Sequence, residues 1–367
     1  VTNPLIMDNE WEVVFPLDGD ILNEHDGWLQ NGHLHVKVTI AAASNKLKLI
    51  VNGMRAIPEN EGFYAEIVLD NYRNTISIKD EETGYSVCYN VYWIQSAVNK
   101  YRLSVDDNIW FLQDIAHNQL KYHSIFENPY LSIYKELHQE FGTKVHFNVY
   151  YQTDGFNLSQ MPDKYKEEWK ANSHWMRLTF HALQNEPDKP YWNADPSEVL
   201  RDCERVTEQI IRFAGEELLD PVTTIHWGEV TRESCRALLQ FGFKGFAGYF
   251  RMAGGKPAVS YYLDNKETEH AGKRDFWKDH SEDLIFIKID AVLDRLNVED
   301  IIPSLEQLKE SPSEAGFLEI LIHEQYFYPH YKAYQADYRD KLFAAAKWAQ
   351  GNGYVPAFLS ECGLFDE

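Results

Sequence analysis

Near Lys100 the hydrophobic rhythm of the chain changes, and this change restricts the fold more than any other feature. Between about Glu10 and Ile94 the sequence runs in short stretches of period two separated by turn residues: Leu34 to Ile40, Leu47 to Val51 closed by Asn52-Gly53, Phe63 to Leu69, Thr75 to Ile78 and Val87 to Tyr92. Such alternation, with no helical period, predicts an antiparallel β-sandwich. Past Lys100 apolar strands alternate with helical stretches. The strands are Tyr101 to Val105, Val145 to Tyr150, Met176 to Phe180, Val222 to Ile225, Phe243 to Phe246, Leu284 to Ile289 and Leu318 to Ile322. The helices are Ile109 to Gln119, Ser197 to Leu218, Thr231 to Phe241 with Thr231 as cap, and Tyr338 to Gln350. Repeated strand-helix units predict a parallel α/β barrel or a doubly wound sheet. The expected domains are 1–98, all-β, and 99–367, α/β.

Composition narrows the partners. The chain has 367 residues, which at about 150 per domain fits two domains. Asp and Glu outnumber Lys and Arg by 57 to 35, a net charge of −22, and no basic stripe interrupts this, so nucleic acid is not an expected partner. No run of about 18 apolar residues is present, so no membrane partner is expected. Residues 1–11 carry acid rather than a basic and then apolar run, and a cytoplasmic protein is expected unless a signal peptide has been removed. Cys88, Cys203, Cys235 and Cys362 are too scattered for a disulfide framework or a Cys-x-x-Cys metal site, and buried thiols are expected. Aromatic residues make up 14% of the chain, enough for large cores or a sugar-facing cleft. Trp169, Trp175, Trp192 and Trp227 are candidates for such a wall, although burial is the commoner fate of tryptophan.

The chemistry lies at the strand ends. Asp106-Asp107, His181, His226 and His323 each follow a predicted apolar strand. In a parallel barrel the carboxyl ends of the strands share one face, so four strands would deliver carboxylates and imidazoles to one mouth. Asp and His ligands with a vacant position suit Zn²⁺ or a similar divalent ion, which lowers the pKa of bound water toward about 7. Of two adjacent carboxylates, one can bind the ion while the other accepts a proton, and an imidazole opposite can protonate a leaving nitrogen. That set is suited to hydrolysing an amide. Against it stand plainer readings: Asp106-Asp107 as a turn and helix cap, His226 beside Trp227 as a packed loop, His323 as a solvated strand end.

Ser104-Val105-Asp106-Asp107 resembles the T-F-D-D motif of the polysaccharide deacetylase superfamily (NodB-like, carbohydrate esterase family four). Phe180-His181 to Asn185 falls where that family has H-x-x-x-H, and Leu321-Ile322-His323 is similar to its late L-x-H. Ile225-His226-Trp227-Gly228-Glu229 occupies the place of its R-x-P-Y-G segment. The resemblance spans roughly residues 101 to 360. It implies a deformed (β/α)7-type barrel, a divalent metal (Zn²⁺, with Co²⁺, Ni²⁺ or Mn²⁺ as alternatives) and removal of an acyl group, N-acetyl first, from a carbohydrate or small acylated substrate. By carry-over Asp106 is the general base, His323 the general acid, and Asp107 and His181 metal ligands. The sequence departs from the family at Asn185, which stands in place of the second metal histidine, and His226 is the expected substitute. The arginine that orients the base in the family has no clear counterpart beside His226. Val51-Asn52-Gly53, a turn at Ala56, Phe63 to Leu69 and Asn74-Thr75-Ile76 resemble immunoglobulin-like modules appended to carbohydrate enzymes. Two rivals remain open: a catalytically inactive carbohydrate-binding protein on the same fold, and a glycoside hydrolase. The latter needs a second carboxylate about 5 to 10 Å away across the cleft, with Glu229 or Glu324 as candidates.

Overall fold

A computed structural model describes residues 10–365 of the chain. They form two compact units, one of residues 10–98 with Trp277–Ser281, the other of Asn99–Phe276 with Glu282–Phe365. The excursion of Trp277–Ser281 into the smaller unit departs from the expected 99–367 span. Backbone pairing explains it: Lys278 N donates to Gly19 O (2.8 Å), and the Trp277 indole donates to Asp18 O (2.9 Å).

In the smaller unit the alternating runs become strands as the period demands. His33–Ala42 pairs antiparallel with Gly62–Leu69, Val36 opposite Ile67 and Val38 opposite Ala65. This places Leu34, Val36, Val38 and Ile40 on one buried face with Phe63, Ala65, Ile67 and Leu69. A second sheet, built on Leu49–Val51, Arg73–Asp80 and Ser86–Trp93, adds Leu49, Val51, Ile76, Ile78 and Val91 to the same core. Asn52 and Gly53, both at positive φ, form the tight turn their sequence signals. No helix occurs among the described residues of this unit. Cys203, Cys235 and Cys362 are buried, whereas Cys88, expected to be buried, is exposed because it faces outward on Ser86–Trp93.

Parallel strands of the larger unit build two ladders. Met176–Ala182, Val145–Tyr150, Lys100–Asn108 and Phe317–His323 lie side by side in that order, and Val222–Thr223, Gly245–Gly248 and Leu284–Lys288 form the other ladder. Thr231 caps the helix Arg232–Phe241 as expected, and Tyr338–Gly351 is the last α-helix among the described residues. The helix expected over 197–218 ends at Phe213, because Gly215 at φ 108 breaks it and Glu216–Leu218 is a separate 3-10 turn. Helices Pro129–Phe141, Asn265–Ala271 and Val298–Leu308 were not foreseen. The first had a readable start, since Asn128 caps it, Pro129 opens it and Gly142 ends it left-handed.

Strands buried on both faces ordinarily read as unbroken apolar runs. These do not. Tyr101, Leu103 and Val105 alternate with Arg102, Ser104 and Asp106, and Val145, Phe147 and Val149 with His146, Asn148 and Tyr150, yet every one of these residues is buried. Phe147 packs against Phe111, Tyr130 and Tyr134 of neighbouring helices, which identifies the apolar set as the helix-facing one. The polar set faces the interior, and by register Arg102 lies opposite Glu319 and Asp106 opposite His323. A polar interior thus runs along the strands and opens at their carboxyl ends.

Candidate functional site

The strand Lys100–Asn108 carries the first two site residues, and its local geometry decides where they point. Val105 is in register with Phe147 and Asn108 with Val149, so three steps on one strand span two on the other. This is a β-bulge, and Asp107 takes up the extra residue in the left-handed region at φ 64. Strict alternation would turn Asp107 toward the helices. With the bulge, both Asp106 and Asp107 line the same cavity.

Asp107, His181 and His226 come together although they lie far apart in the chain. Their ligand atoms all lie within 4.8 Å of one another, and all three residues are buried. His181 Nε2 is 3.1 Å from Asp107 Oδ1, His226 Nδ1 is 3.3 Å from the same oxygen, and the two imidazoles are 3.2 Å apart. Backbone carbonyls set the ring orientations. His181 Nδ1 faces the carbonyl of Thr224, and His226 Nε2 lies 3.0 Å from the carbonyl of Asn185. A carbonyl only accepts, so each of these nitrogens carries the proton, and in the neutral rings His181 Nε2 and His226 Nδ1 turn lone pairs toward the Asp107 carboxylate. The Tyr150 hydroxyl joins the cluster, donating to Asp107 Oδ1 and lying 3.0 Å from His226 Nδ1 and 3.2 Å from Asn185 Oδ1. Its single proton cannot serve that many acceptors. A buried group of nitrogen and oxygen lone pairs, short of protons and with its outer N–H groups held by carbonyls, has the donor chemistry of a divalent-cation site. Burial opposes charge on His181, but Asp106 and Asp107 outweigh it and raise its pKa, while against the upward push of burial the two imidazoles and His323 hold Asp107 well below the usual carboxylate range.

Two further groups face the cavity. Asp106 is pushed upward by burial, partly offset by His181 and His323. Its Oδ1 accepts from Asn148 Nδ2 at 2.7 Å. His323 pairs through Nδ1 with Asp294 Oδ1 at 2.9 Å, and that oxygen also accepts the His323 backbone N–H at 3.0 Å. Burial works against charge on this imidazole, but Asp294 prevails and raises it to about 9.

The cavity around these residues, about 660 Å³, shares Asp107, Asn185, Glu186, Gln325 and Tyr331 with a neighbouring one of about 870 Å³, so the two are arms of one cleft. The larger arm is lined with amide side chains, Asp154 and Trp110, and among the described residues no lysine or arginine lines it. The other carries Lys189, Arg251, Arg295 and Lys332. Arg251 and Arg295 both lie over the Tyr249 ring, at 4.7 and 5.1 Å.

Asp106, Asp107, His181, His226 and His323 therefore all line one cavity. Asn185 contributes its backbone carbonyl to His226, and its side-chain oxygen accepts from Gln325 Nε2 (3.0 Å) and lies 3.2 Å from the Tyr150 hydroxyl. Trp169 and Trp175 are core residues, Trp192 is exposed, and Trp227 stands 41% exposed at the cleft in a left-handed conformation. The chain turns sharply there because Gly228 packs onto Val259, where a Cβ would come within 2.6 Å of Val259 Cγ1. Of the two rival carboxylates, Glu324 is occupied by backbone N–H groups, whereas Glu229 lines the cleft paired with a lysine. Glu324 accepts the backbone N–H groups of Ile109, Trp110 and Phe111 at 2.6 to 2.9 Å, capping the helix Trp110–His117, and Glu229 is buried against Lys189 at 3.0 Å. Sequence reasoning missed Asn148, Tyr150 and Asp294. The first two were signalled by polar residues at alternate positions of a buried strand.

No protein-family model matches the chain, and no curated protein matches it. Among solved structures it is similar to a putative polysaccharide deacetylase from Mycobacterium smegmatis, at a TM-score of 0.41 and 12% identity over 72% of this chain and 89% of that one. It is also similar to a family 4 acetyl xylan esterase from Clostridium thermocellum in complex with a cobalt ion, with a TM-score of 0.38 and 12% identity over 72% and 89%. A CE4 family pseudoenzyme from Bacillus anthracis aligns with a TM-score of 0.37 and 11% identity over 74% and 68%.

Proposed function

We propose that this chain is a metal-dependent hydrolase that removes an acyl group, N-acetyl first, from a carbohydrate. One observation carries the reading: a buried Asp107-His181-His226 donor set shares a cavity with a separate carboxylate, Asp106, and with a carboxylate-backed imidazole, His323. Asp107, His181 and His226 would hold the ion, with Zn²⁺ the first candidate. A bound divalent ion supplies an acidified water and polarises an acyl carbonyl. Asp106 keeps one oxygen on Asn148 and offers the other to the water proton. His323 is held as imidazolium by Asp294 and protonates the departing nitrogen. Tyr326, Tyr331 and Trp227 give the cleft the aromatic faces on which sugar rings stack.

Two finer points belong to the same reading. The parallel ladders make one deformed (β/α)7 barrel, supported at one seam by the Thr223 hydroxyl on the Phe180 carbonyl and at the other by Asp290 N on Glu319 O (2.9 Å). The smaller unit is an immunoglobulin-like module, which its two sheets over one core support. The test is elemental analysis of metal-replete protein together with acetate release from N-acetylglucosamine oligomers. Asp106→Asn should keep the metal and lose turnover, and His181→Ala should lose both. Protein that binds no divalent ion refutes the proposal.

A further inference from the structure

The family resemblance leaves one task unassigned, since the arginine that orients the base in the family has no clear counterpart beside His226. The interior polar face supplies a different device. Arg102, wholly buried, binds Glu319 through two parallel hydrogen bonds, Nε to Oε2 and Nη2 to Oε1, both 2.8 Å. Its remaining Nη1 lies 2.8 Å from His146 Nδ1. A guanidinium has no acceptor, so His146 Nδ1 must accept and is unprotonated. Burial and Arg102 both depress the His146 pKa, so the ring is neutral and its one proton is on Nε2. That nitrogen meets Thr179 Oγ1 at 2.7 Å. Accepting from His146, the Thr179 hydroxyl turns its one proton to its nearer acceptor, Asn148 Oδ1 at 2.9 Å, with Thr223 Oγ1 next at 3.1 Å. The Thr224 backbone N–H points at the same amide oxygen at 3.5 Å. With these donors on its oxygen, the amide turns its NH₂ to Asp106 Oδ1 at 2.7 Å. Every link from Arg102 onward donates in the same direction, and every member is at most 4% exposed.

We infer that the relay Arg102, His146, Thr179 and Asn148 is the positioning apparatus of Asp106, fixing one of its oxygens as a permanent acceptor and leaving the other to the cleft. The buried Arg102-Glu319 pair is its anchor, because it dictates the tautomer of His146 and so the direction of every later bond. Asn148 and Thr179 are positioning residues and touch no substrate. The inference rests on the reading of Asp106 as the proton acceptor, and the experiment separates the two.

Long-range ¹H–¹⁵N spectra of metal-free protein at neutral pH should show His146 bare at Nδ1 and protonated at Nε2, and the Asn148 side-chain amide shifted by its carboxylate partner. Thr179→Val breaks the relay without touching Asp106, and should move the Asn148 amide resonance while Thr179→Ser preserves it. In kinetics, Thr179→Val should lower kcat by about 10- to 100-fold with KM and metal content unchanged, and Thr179→Ser should restore it. A proton on His146 Nδ1, or an Asn148 amide indifferent to Thr179→Val, overturns the inference whatever the activity. So does a Thr179→Ser variant as impaired as Thr179→Val. Wild-type protein that shows the relay but hydrolyses no acylated sugar would instead sink the proposed function and leave the positioning of Asp106 standing.

Discussion

Asp294→Asn isolates the electrostatics of the His323 pair. Asp294 uses a single oxygen for both of its contacts with His323, the backbone N–H at 3.0 Å and Nδ1 at 2.9 Å. An amide oxygen in that place keeps both hydrogen bonds, so the substitution removes one unit of charge and sets an NH₂ where Asp294 Oδ2 is buried without a hydrogen-bond partner, a cost common to both ends of the pH window. In the parent protein Asp294 is the largest influence raising His323 against its burial, and the outcome is about 9 against an ordinary 6.5. Removing it should bring the imidazole down to its ordinary value or below, a change worth about 3 kcal/mol between the two protonation states. Because the folded-state pKa is the raised one, the pair stabilises the parent fully below pH 6.5, and that stability is lost as pH rises through about 9. The assay is an NMR titration of His323 in metal-free protein, paired with urea unfolding at both ends of that window. The parent should lose roughly 3 kcal/mol across it, whereas the variant should show no such loss from this group. If His323 in Asp294→Asn still titrates near its parental value, the assigned cause is wrong.

Other consequences are as direct. His226→Ala should weaken Zn²⁺ binding by more than the roughly 10- to 100-fold typical of losing an outer partner, while Asn185→Ala, which keeps the carbonyl that orients His226, should stay within that range in competition titrations. Zn²⁺ binding near pH 6 should release protons, because His181 is raised in the metal-free protein, and calorimetry in buffers of different ionisation enthalpy will count them. The Arg251-Arg295 arm should favour a sugar bearing an anionic substituent: N-acetylglucosamine 6-phosphate should bind more tightly than N-acetylglucosamine, with a salt-sensitive advantage that Arg251→Ala with Arg295→Ala abolishes. Glu324→Ala should destabilise the fold by roughly 2 to 4 kcal/mol in denaturant titrations, since three N–H groups at the start of Trp110–His117 lose their acceptor.

How far the sequence discloses this depends on whether a feature is local. The change of period at Lys100, the Thr231 cap and the Asn52-Gly53 turn are decided within a few residues, and each could be read off. His181, His226 and His323 were recognisable because each follows a run apolar enough to be a strand. The bulge at Asp107 was not, since it exists only as a register relation between Val105-Asn108 and Phe147-Val149. Glu324 looked like a strand-end acid available for catalysis, but its partners lie some two hundred residues earlier in the chain. Asp294 follows no long strand, and nothing near it marks it as the partner of His323. The alternation of Arg102, Ser104 and Asp106 with Tyr101, Leu103 and Val105 was legible in principle. Read as period two, it announces a strand with one apolar and one polar face, and in a parallel sheet covered by helices the polar face must be the interior.

The same alternation explains why two adjacent carboxylates can carry different tasks. Asp106 belongs to the regular strand and inherits its interior neighbours, the Asn148 amide on one oxygen and His323 in register, and burial raises its pKa. Asp107 is the residue the bulge adds, and it swings out of the ladder into the two imidazoles and the Tyr150 hydroxyl, which hold it ionised. Two carboxyl groups with pKa values pushed apart by their surroundings are the usual basis for separating a proton acceptor from a permanent anion. Here the separation comes from one inserted residue. Without it Asp107 would face the helices, and neither the donor triad nor the distinction between the two aspartates would exist.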